Sequence, residues 1–194
     1  MAQRGAMRMD RQTHIPQELT NLRQWVVWRY EARDGQRTKV PYMPDGQHAK
    51  SNDPATWRDY QSCVDALPEF DGIGIMFAHG LVGIDLDHHV DEHGKLTDFA
   101  QRVVDQLPTY WETSPSGRGL HALCFGELPS GGRKNTEWQI EMYDAGRFFT
   151  VTGNHLIGTP TRVAYLGSQL TELHQSIFHE NHPERPRSSL VISS

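Results

Sequence analysis

The sequence predicts an α+β fold. Segments with the two-residue period of strands and segments with the 3.6-residue period of helices both occur, and they follow one another without a regular β-α-β-α alternation. A chain of 194 residues, 37% of them hydrophobic, has material for a real core in one domain or two small lobes.

Taken in order, "QWVVWRYEARDGQRTKVPYM" reads as two strands joined through Asp34-Gly35. "NDPATWRDYQSCVDAL" opens with Asp53 as N-cap and Pro54 at the first helical position. Trp57, Tyr60, Val64 and Leu67 follow at helical spacing, so a helix is predicted there. "DGIGIMFAHGLVGIDLD" predicts a glycine-punctuated hairpin bent at Ala78-His79-Gly80. Leu96, Phe99, Ala100, Val103, Val104 and Leu107 make one apolar stripe, the mark of an amphipathic helix. Strands are expected over "TYWETS", "LHALCFG" and "EWQIEMY", then "RFFTVTG", and a last helix around Gln169 to Phe178 carries Leu170, Leu173 and Ile177. Residues 1–13 and the Pro/Ser-bearing 181–194 read as polar tails around a folded unit at 14–180, the second tail equally as the start of a linker.

The totals exclude several classes. A mean hydropathy of −0.63 describes a polar-surfaced protein, and no apolar run approaches the roughly 20 residues that span a bilayer. The start lacks a secretion signal, so the expected location is cytoplasmic. Cys63 and Cys124 stand apart with no C-x-x-C spacing, which indicates neither a zinc knuckle nor a disulfide framework. A net charge of −5 argues against gripping nucleic acid over the whole surface, because phosphate neutralisation needs a basic field. A local groove is compatible with it. Arg29, Arg33, Arg37 and Lys39 gather early in the chain, and Arg118, Arg133, Lys134 and Arg147 later; only a shared face would make such residues a binding site.

Three motifs carry chemistry. In "GIDLDHH", Asp85 and Asp87 project to one side of a strand while Ile84 and Leu86 face the core. Two like charges side by side repel and raise one pKa unless a cation sits between them. A lone D-x-D is more often a strand running out into a polar turn, so the rest of the chain has to decide. "SPSGRGLH" lies between two predicted strands. Gly117 and Gly119 free the backbone for close approach, Ser114 and Ser116 offer hydroxyls, and Arg118 and His121 offer donors suited to phosphate oxygens. In "WQIEMY", Gln139, Glu141 and Tyr143 share a face opposite Trp138, Ile140 and Met142, setting Glu141 among core-forming residues; a salt bridge to Arg133 or Arg147 is its plainer reading. Asp85, Asp87 and Glu141 together, with an anion cradle between them in sequence, fit a divalent-metal site for a nucleoside triphosphate.

Together "GIDLD", "YWETSPSGRGLH" and "IEMYDAGRFFTVTG" resemble the catalytic core of the archaeo-eukaryotic primase superfamily, in the primase-polymerase branch of phages, plasmids and integrated elements. The resemblance runs from Leu22 to Gly153 with the motifs in the family's order, and Trp25, Trp28, Lys39-Val40-Pro41 and "SNDPATW" look like the lead-in of this branch. It implies an RRM-like sheet carrying the motifs, an N-terminal α/β lobe beside it, and a template in the cleft between them. It also implies template-directed nucleotidyl transfer from dNTPs or NTPs in DNA replication or repair. On this pattern Asp85, Asp87 and Glu141 hold two Mg²⁺ or Mn²⁺ ions, and Ser116 and His121, with Ser114 beside them, meet the triphosphate. Lys39, Arg118, Lys134 and Arg147 are further candidates for phosphate or template contact. Expected partners are single-stranded template, primer and nucleotide, with a helicase or accessory domain often supplied elsewhere. One departure is His88 after the aspartate pair, where relatives often have a small residue; His88, His89 and His93 read as exposed turn histidines, since hard cations prefer oxygen. The competing classes are a metal-dependent replication-initiation nuclease, for which no His-hydrophobe-His cluster with a nucleophilic tyrosine is evident, and a non-catalytic nucleic-acid-binding module, which needs no carboxylate set.

Overall fold

A computed structural model describes residues 14–178 apart from Asp34; the two expected tails, and Asp34 at the first turn, lie outside the described residues. Strands β1 (Trp25–Arg33), β2 (Gln36–Tyr42), β3 (Gly72–Met76) and β9 (Phe148–Val151) form one sheet in the order β2-β1-β3-β9. Strands β4 (Leu81–Leu86), β5 (Tyr110–Thr113), β6 (Leu120–Phe125), β7 (Arg133–Asn135) and β8 (Ile140–Tyr143) form a second in the order β5-β6-β4-β8-β7. Every strand pairing is antiparallel. Helices α1 (Gln17–Thr20), α2 (Tyr60–Asp65), α3 (Asp98–Gln106) and α4 (Ser168–Phe178) complete an α+β architecture. Among the described residues no helix is long and apolar enough to cross a membrane.

Alternation decides which faces are buried. In the first sheet Trp25, Val27, Val40, Tyr42, Ile73, Ile75, Phe149 and Val151 share a face with the main core of that half, packed with Leu19, Leu67 and Phe70. The second sheet lays Val82, Ile84, Leu86, Ala122, Cys124, Ile140 and Met142 against α3 and α4. The stripe predicted for α3 is observed: Ala100, Val103, Val104 and Leu107 are buried, Leu96 and Phe99 pack against them, and Thr97 caps the helix by accepting the Ala100 N–H. With helices on one face, the other face of the second sheet is left for the first sheet and for the site.

Four sequence expectations are corrected. The helix over 53–67 is broken: Asp53 caps a 3-10 turn at Pro54–Thr56, Trp57 is extended, and α2 starts afresh with Asp59 as cap. Tertiary pairing overrides helical propensity here, because Arg58 exchanges two backbone hydrogen bonds with Trp25 at 2.8 and 2.9 Å and thereby prolongs the first sheet. The segment 72–87 bends at Ala78–Gly80, but β3 and β4 do not pair. The edges of β3 are taken by β1 and β9, those of β4 by β6 and β8, so the chain crosses from one sheet to the other. The strand "EWQIEMY" starts only at Ile140, since Asn135 Oδ1 accepts the Glu137 and Trp138 N–H groups and Gln139 sits at φ 51°. His89 is not an exposed turn residue. It is buried, with Nδ1 2.7 Å from Thr97 Oγ1 and Nε2 2.9 Å from the Trp138 carbonyl.

The two sheets meet across Gly83 of β4. A Cβ there would stand 2.1 Å from Phe77 Cζ and 2.8 Å from Phe149 Cε2, and those two rings pack edge to face at 4.7 Å. Residues 77–80 join β3 to β4 and residues 144–147 join β8 to β9, and the Phe77 N–H donates to the Arg147 carbonyl at 3.0 Å. Gly83→Ala should therefore force buried aromatic rings apart. The expected cost is about 1–3 kcal/mol, a fall of several degrees in Tm by calorimetry, whereas alanine at the open turn glycine Gly46 should leave ring packing and near-UV circular dichroism unchanged.

Candidate active site

The register of the second sheet aligns five ionisable side chains in one cross-strand row. Glu112 of β5 lies opposite His121 of β6, His121 opposite Asp85 of β4, Asp85 opposite Glu141 of β8, and Glu141 opposite Lys134 of β7. Directly paired residues share a face. The adjoining same-face row of Tyr110, Leu123, Gly83 and Tyr143 packs with the core of the first sheet, so the charged row lies just beyond the point where the sheets meet. Asp87 follows on, its N–H donating to the Gln139 carbonyl at 2.9 Å.

Asp85 is the least comfortable member. Its Oδ1 is buried without a hydrogen-bond partner. Burial pushes its carboxyl up to about 6, the charges of Asp87 and Glu141 push the same way, and His121 and Lys39 pull against them. His121 Nε2 stands 3.7 Å from Asp85 Oδ1, longer than a hydrogen bond. On the ring's other side Nδ1 is 3.1 Å from the Thr150 carbonyl, which fixes it as the donor, and 3.7 Å from Glu112 Oε1. Burial alone would lower the His121 pKa, but Glu112 and Asp85 prevail and hold it above the usual imidazole value.

The charges of Asp87 and Glu141 both bear on Asp85, and two cations answer them. Lys134 is ion-paired with Glu141, which raises the lysine pKa, with Asp87 adding to the effect. Lys39 of β2 comes from the other sheet; burial lowers its pKa while Asp85 and Asp87 pull it back up. Among the described residues no three His, Cys, Asp or Glu side chains converge as a preformed metal cage. The oxygen donors on this face, one of them an orphaned buried Oδ1, nevertheless suit a hard cation.

The loop "SPSGRGLH" divides its labour. Ser114 is buried and closes the loop, its N–H donating to the Gly119 carbonyl at 2.9 Å and its Oγ accepting the Gly119 N–H at 3.2 Å. Gly119 makes room for protein rather than ligand, since a Cβ there would lie 2.8 Å from the Leu86 carbonyl oxygen. The Val90 N–H donates to the Arg118 carbonyl at 3.0 Å, so the loop is stitched to the stretch after the aspartates. Ser116 and Arg118 are exposed at its tip. His121, by contrast, is buried under Asp85. Arg147 is exposed, its guanidinium 5.2 Å over the Tyr143 ring.

Sequence reading passed over Glu112. It is fully buried and accepts the Thr152 and Gly153 N–H groups at 2.8 and 3.0 Å and the Tyr110 hydroxyl at 3.0 Å. The signal was a carboxylate at an inward position of "TYWETS", two residues from a buried tyrosine, and it becomes decisive only with the register to His121.

The chain matches the family described as "Bifunctional DNA primase/polymerase, N-terminal" over residues 17–174. It is 36% identical over 145 residues to the protein named DNA Primase-polymerase of Nitratiruptor phage NrS-1, an alignment covering 70% of this chain and 20% of that protein. The chain thus aligns with about a fifth of the length of that curated relative.

Because the folded-state value of Asp85 is raised, its contribution to stability is fully present below about pH 4 and is lost as pH rises through about 6. Asp85→Asn removes that loss. In metal-free buffer near neutral pH the variant should be more stable than the parent chain by roughly 2–3 kcal/mol in urea unfolding, with the gap closing towards about pH 4. Equal stability at both pH values would mean that Asp85 carries no ionisation penalty in the fold.

Proposed function

The chain belongs to the bifunctional DNA primase/polymerase family, and on that footing we propose that residues 14–180 are a catalytic domain for template-directed nucleotidyl transfer from dNTPs or NTPs. The observation that carries this reading is the half-buried carboxylate row, with Asp85 Oδ1 sealed from solvent and left without a partner beside Glu141 and Asp87. A binding module gains nothing from acids that repel each other; a site for a metal-bound triphosphate does.

In this reading Asp85, Asp87 and Glu141 hold Mg²⁺ or Mn²⁺. The ions supply charge neutralisation at the triphosphate and activation of the attacking 3′-hydroxyl. Asp85 offers the oxygen that lacks a partner. Glu141 is kept in place by Lys134 until the nucleotide arrives, and Lys134 then turns to phosphate. His121, held towards the imidazolium by Glu112 and Asp85 with its Nδ1–H committed to Thr150, keeps a second N–H at Nε2 on the Asp85 side, which donates to a phosphate oxygen as charge develops there. Ser116 and Arg118 at the loop tip add donors, Ser114 fixes the loop that presents them, and Lys39 and Arg147 meet phosphates from the other side. Template, primer and nucleotide are the partners, a helicase or accessory domain acts with this core, and the site of action is the cytoplasm, in the replication of a mobile element.

The test is incorporation of labelled dNTP or NTP on a single-stranded template, with and without primer, in Mg²⁺ and in Mn²⁺. Asp85→Ala combined with Asp87→Ala should abolish incorporation, by at least about a thousandfold, while thermal melting still shows a folded protein, because two repelling carboxylates leave together. Near-normal incorporation by this double variant would sink the assignment.

A further inference from the structure

After β9 the chain crosses between the sheets once more. Beyond Val151 it leaves the first sheet and runs antiparallel along β5, the edge strand of the second. The Thr113 N–H donates to the Asn154 carbonyl at 2.9 Å, the Leu156 N–H donates to the Trp111 carbonyl at 2.8 Å, and His155 stands opposite Glu112 between them. The turn into this path uses Gly153, whose φ of 69° lies in the left-handed region. Glu112, fully buried, fastens the crossing with both carboxylate oxygens. Its Oε1 accepts the Thr152 N–H at 2.8 Å, and its Oε2 accepts the Gly153 N–H and the Tyr110 hydroxyl, each at 3.0 Å.

The strand held in this way is the one that sets the His121 ring. Thr150 of β9 offers the carbonyl that takes the Nδ1–H at 3.1 Å, and Phe149 of β9 packs against the imidazole with ring centroids 5.1 Å apart. Nε2 is thereby left on the Asp85 side, 3.7 Å from Oδ1. Glu112 reaches the ring twice, directly, with Oε1 3.7 Å from Nδ1, and through the two amides that anchor the end of β9. A carboxylate is costly to bury. Two amides and a hydroxyl call for acceptor atoms and no net charge, whereas a ring nitrogen that must stay a donor is favoured by a negative neighbour.

We infer that Glu112 is a positioning residue for the reaction: by gripping the Thr152 and Gly153 amides it holds β9 against β5 and β6, and β9 in turn aims His121 Nε2 at the Asp85 side of the site. What His121 meets there rests on the proposed function; the grip itself does not. Glu112 touches no reacting group and works through the histidine, as the buried acid of a catalytic triad works through its imidazole.

Side-chain NMR of the full chain carrying isotope-labelled histidine tests the grip without turnover, the His121 signals being identified by their loss in His121→Gln. In the parent chain the His121 Nδ1–H should exchange slowly with solvent. In Glu112→Gln the carboxamide sets its NH2 against one of the two backbone N–H groups whichever way it turns, and exchange at Nδ1 should quicken by roughly tenfold, about what the loss of one hydrogen bond allows. Tyr110→Phe takes the hydroxyl from the same carboxylate but leaves both amides bound; it should lower stability in urea and leave His121 exchange unaltered. A Glu112 that only seals the fold would make the two variants alike. In primer extension Glu112→Gln should lower kcat by about ten- to a hundredfold while KM for dNTP stays within about twofold, the mark of a contact made in the transition state. The inference is overturned by a parent chain without a slowly exchanging Nδ1–H, by unchanged exchange in Glu112→Gln, by equal quickening in Tyr110→Phe, or by unchanged kcat in Glu112→Gln. If Glu112→Gln does not fold, Glu112→Asp is measured instead, its carboxylate withdrawn by one methylene, and the same quickening is expected; failure of both to fold overturns the inference and leaves Glu112 a residue of the fold alone. A parent chain that incorporates nothing refutes the catalytic reading, and the exchange measurement still decides the grip.

Discussion

Everything around the site is arranged about one electrostatic constraint: Asp85 is a half-buried carboxylate, its Oδ1 sealed from solvent, with a second carboxylate opposite it and a third two residues on. In water the mutual repulsion would be screened; in the partly dry space where the two sheets meet it is not. The fold offsets it from three directions, with His121 on one flank, Lys134 holding Glu141 on the other, and Lys39 from the neighbouring sheet. None of the three neutralises Asp85 by a direct hydrogen bond, and Oδ1 stays without a partner. A protein selected only for stability would replace such a residue with a hydrophobic one. On the proposed reading, that oxygen is the place for a cation brought by the nucleotide.

Much of the supporting architecture was legible because local signals and tertiary structure agree. The β1–β2 hairpin follows from alternation, and α3 from a stripe that packs as written. Where they disagree, a long-range contact wins. Trp57 has the spacing of a helical residue, yet Arg58 pairs with Trp25 and the helix breaks. The bend at Ala78–Gly80 has hairpin chemistry, but a bend says nothing about which edges the strands will find, and here they find different sheets.

The same distinction governs the site. Asp85 and Asp87 share a motif, and Glu141 stands in another, so their types and order could be read along the chain. That Glu112, His121, Asp85, Glu141 and Lys134 fall in a single row could not, because cross-strand register is set by five strands at once. Glu112 was missed for that reason, and His89 was read as exposed because its partner, the Trp138 carbonyl, lies far along the sequence. Gly119 is conspicuous in sequence, but its use, letting the loop touch the Leu86 backbone, is visible only in three dimensions.

The crossing from β3 to β4 has a mechanical corollary. Residues 77–80 and 144–147 are two of the short straps between the sheets, and the Phe77 N–H is bonded to the Arg147 carbonyl, so these straps are also fastened to each other. With Phe77 and Phe149 wedged over Gly83 at the same place, the halves are riveted rather than hinged. Clamshell opening would have to tear that seam, which leaves side-chain swings and loop adjustments as the inexpensive motions. Lys39 and the carboxylates sit on halves so fastened, and on the proposed reading a nucleotide meets a slot gauged in advance rather than one that closes around it.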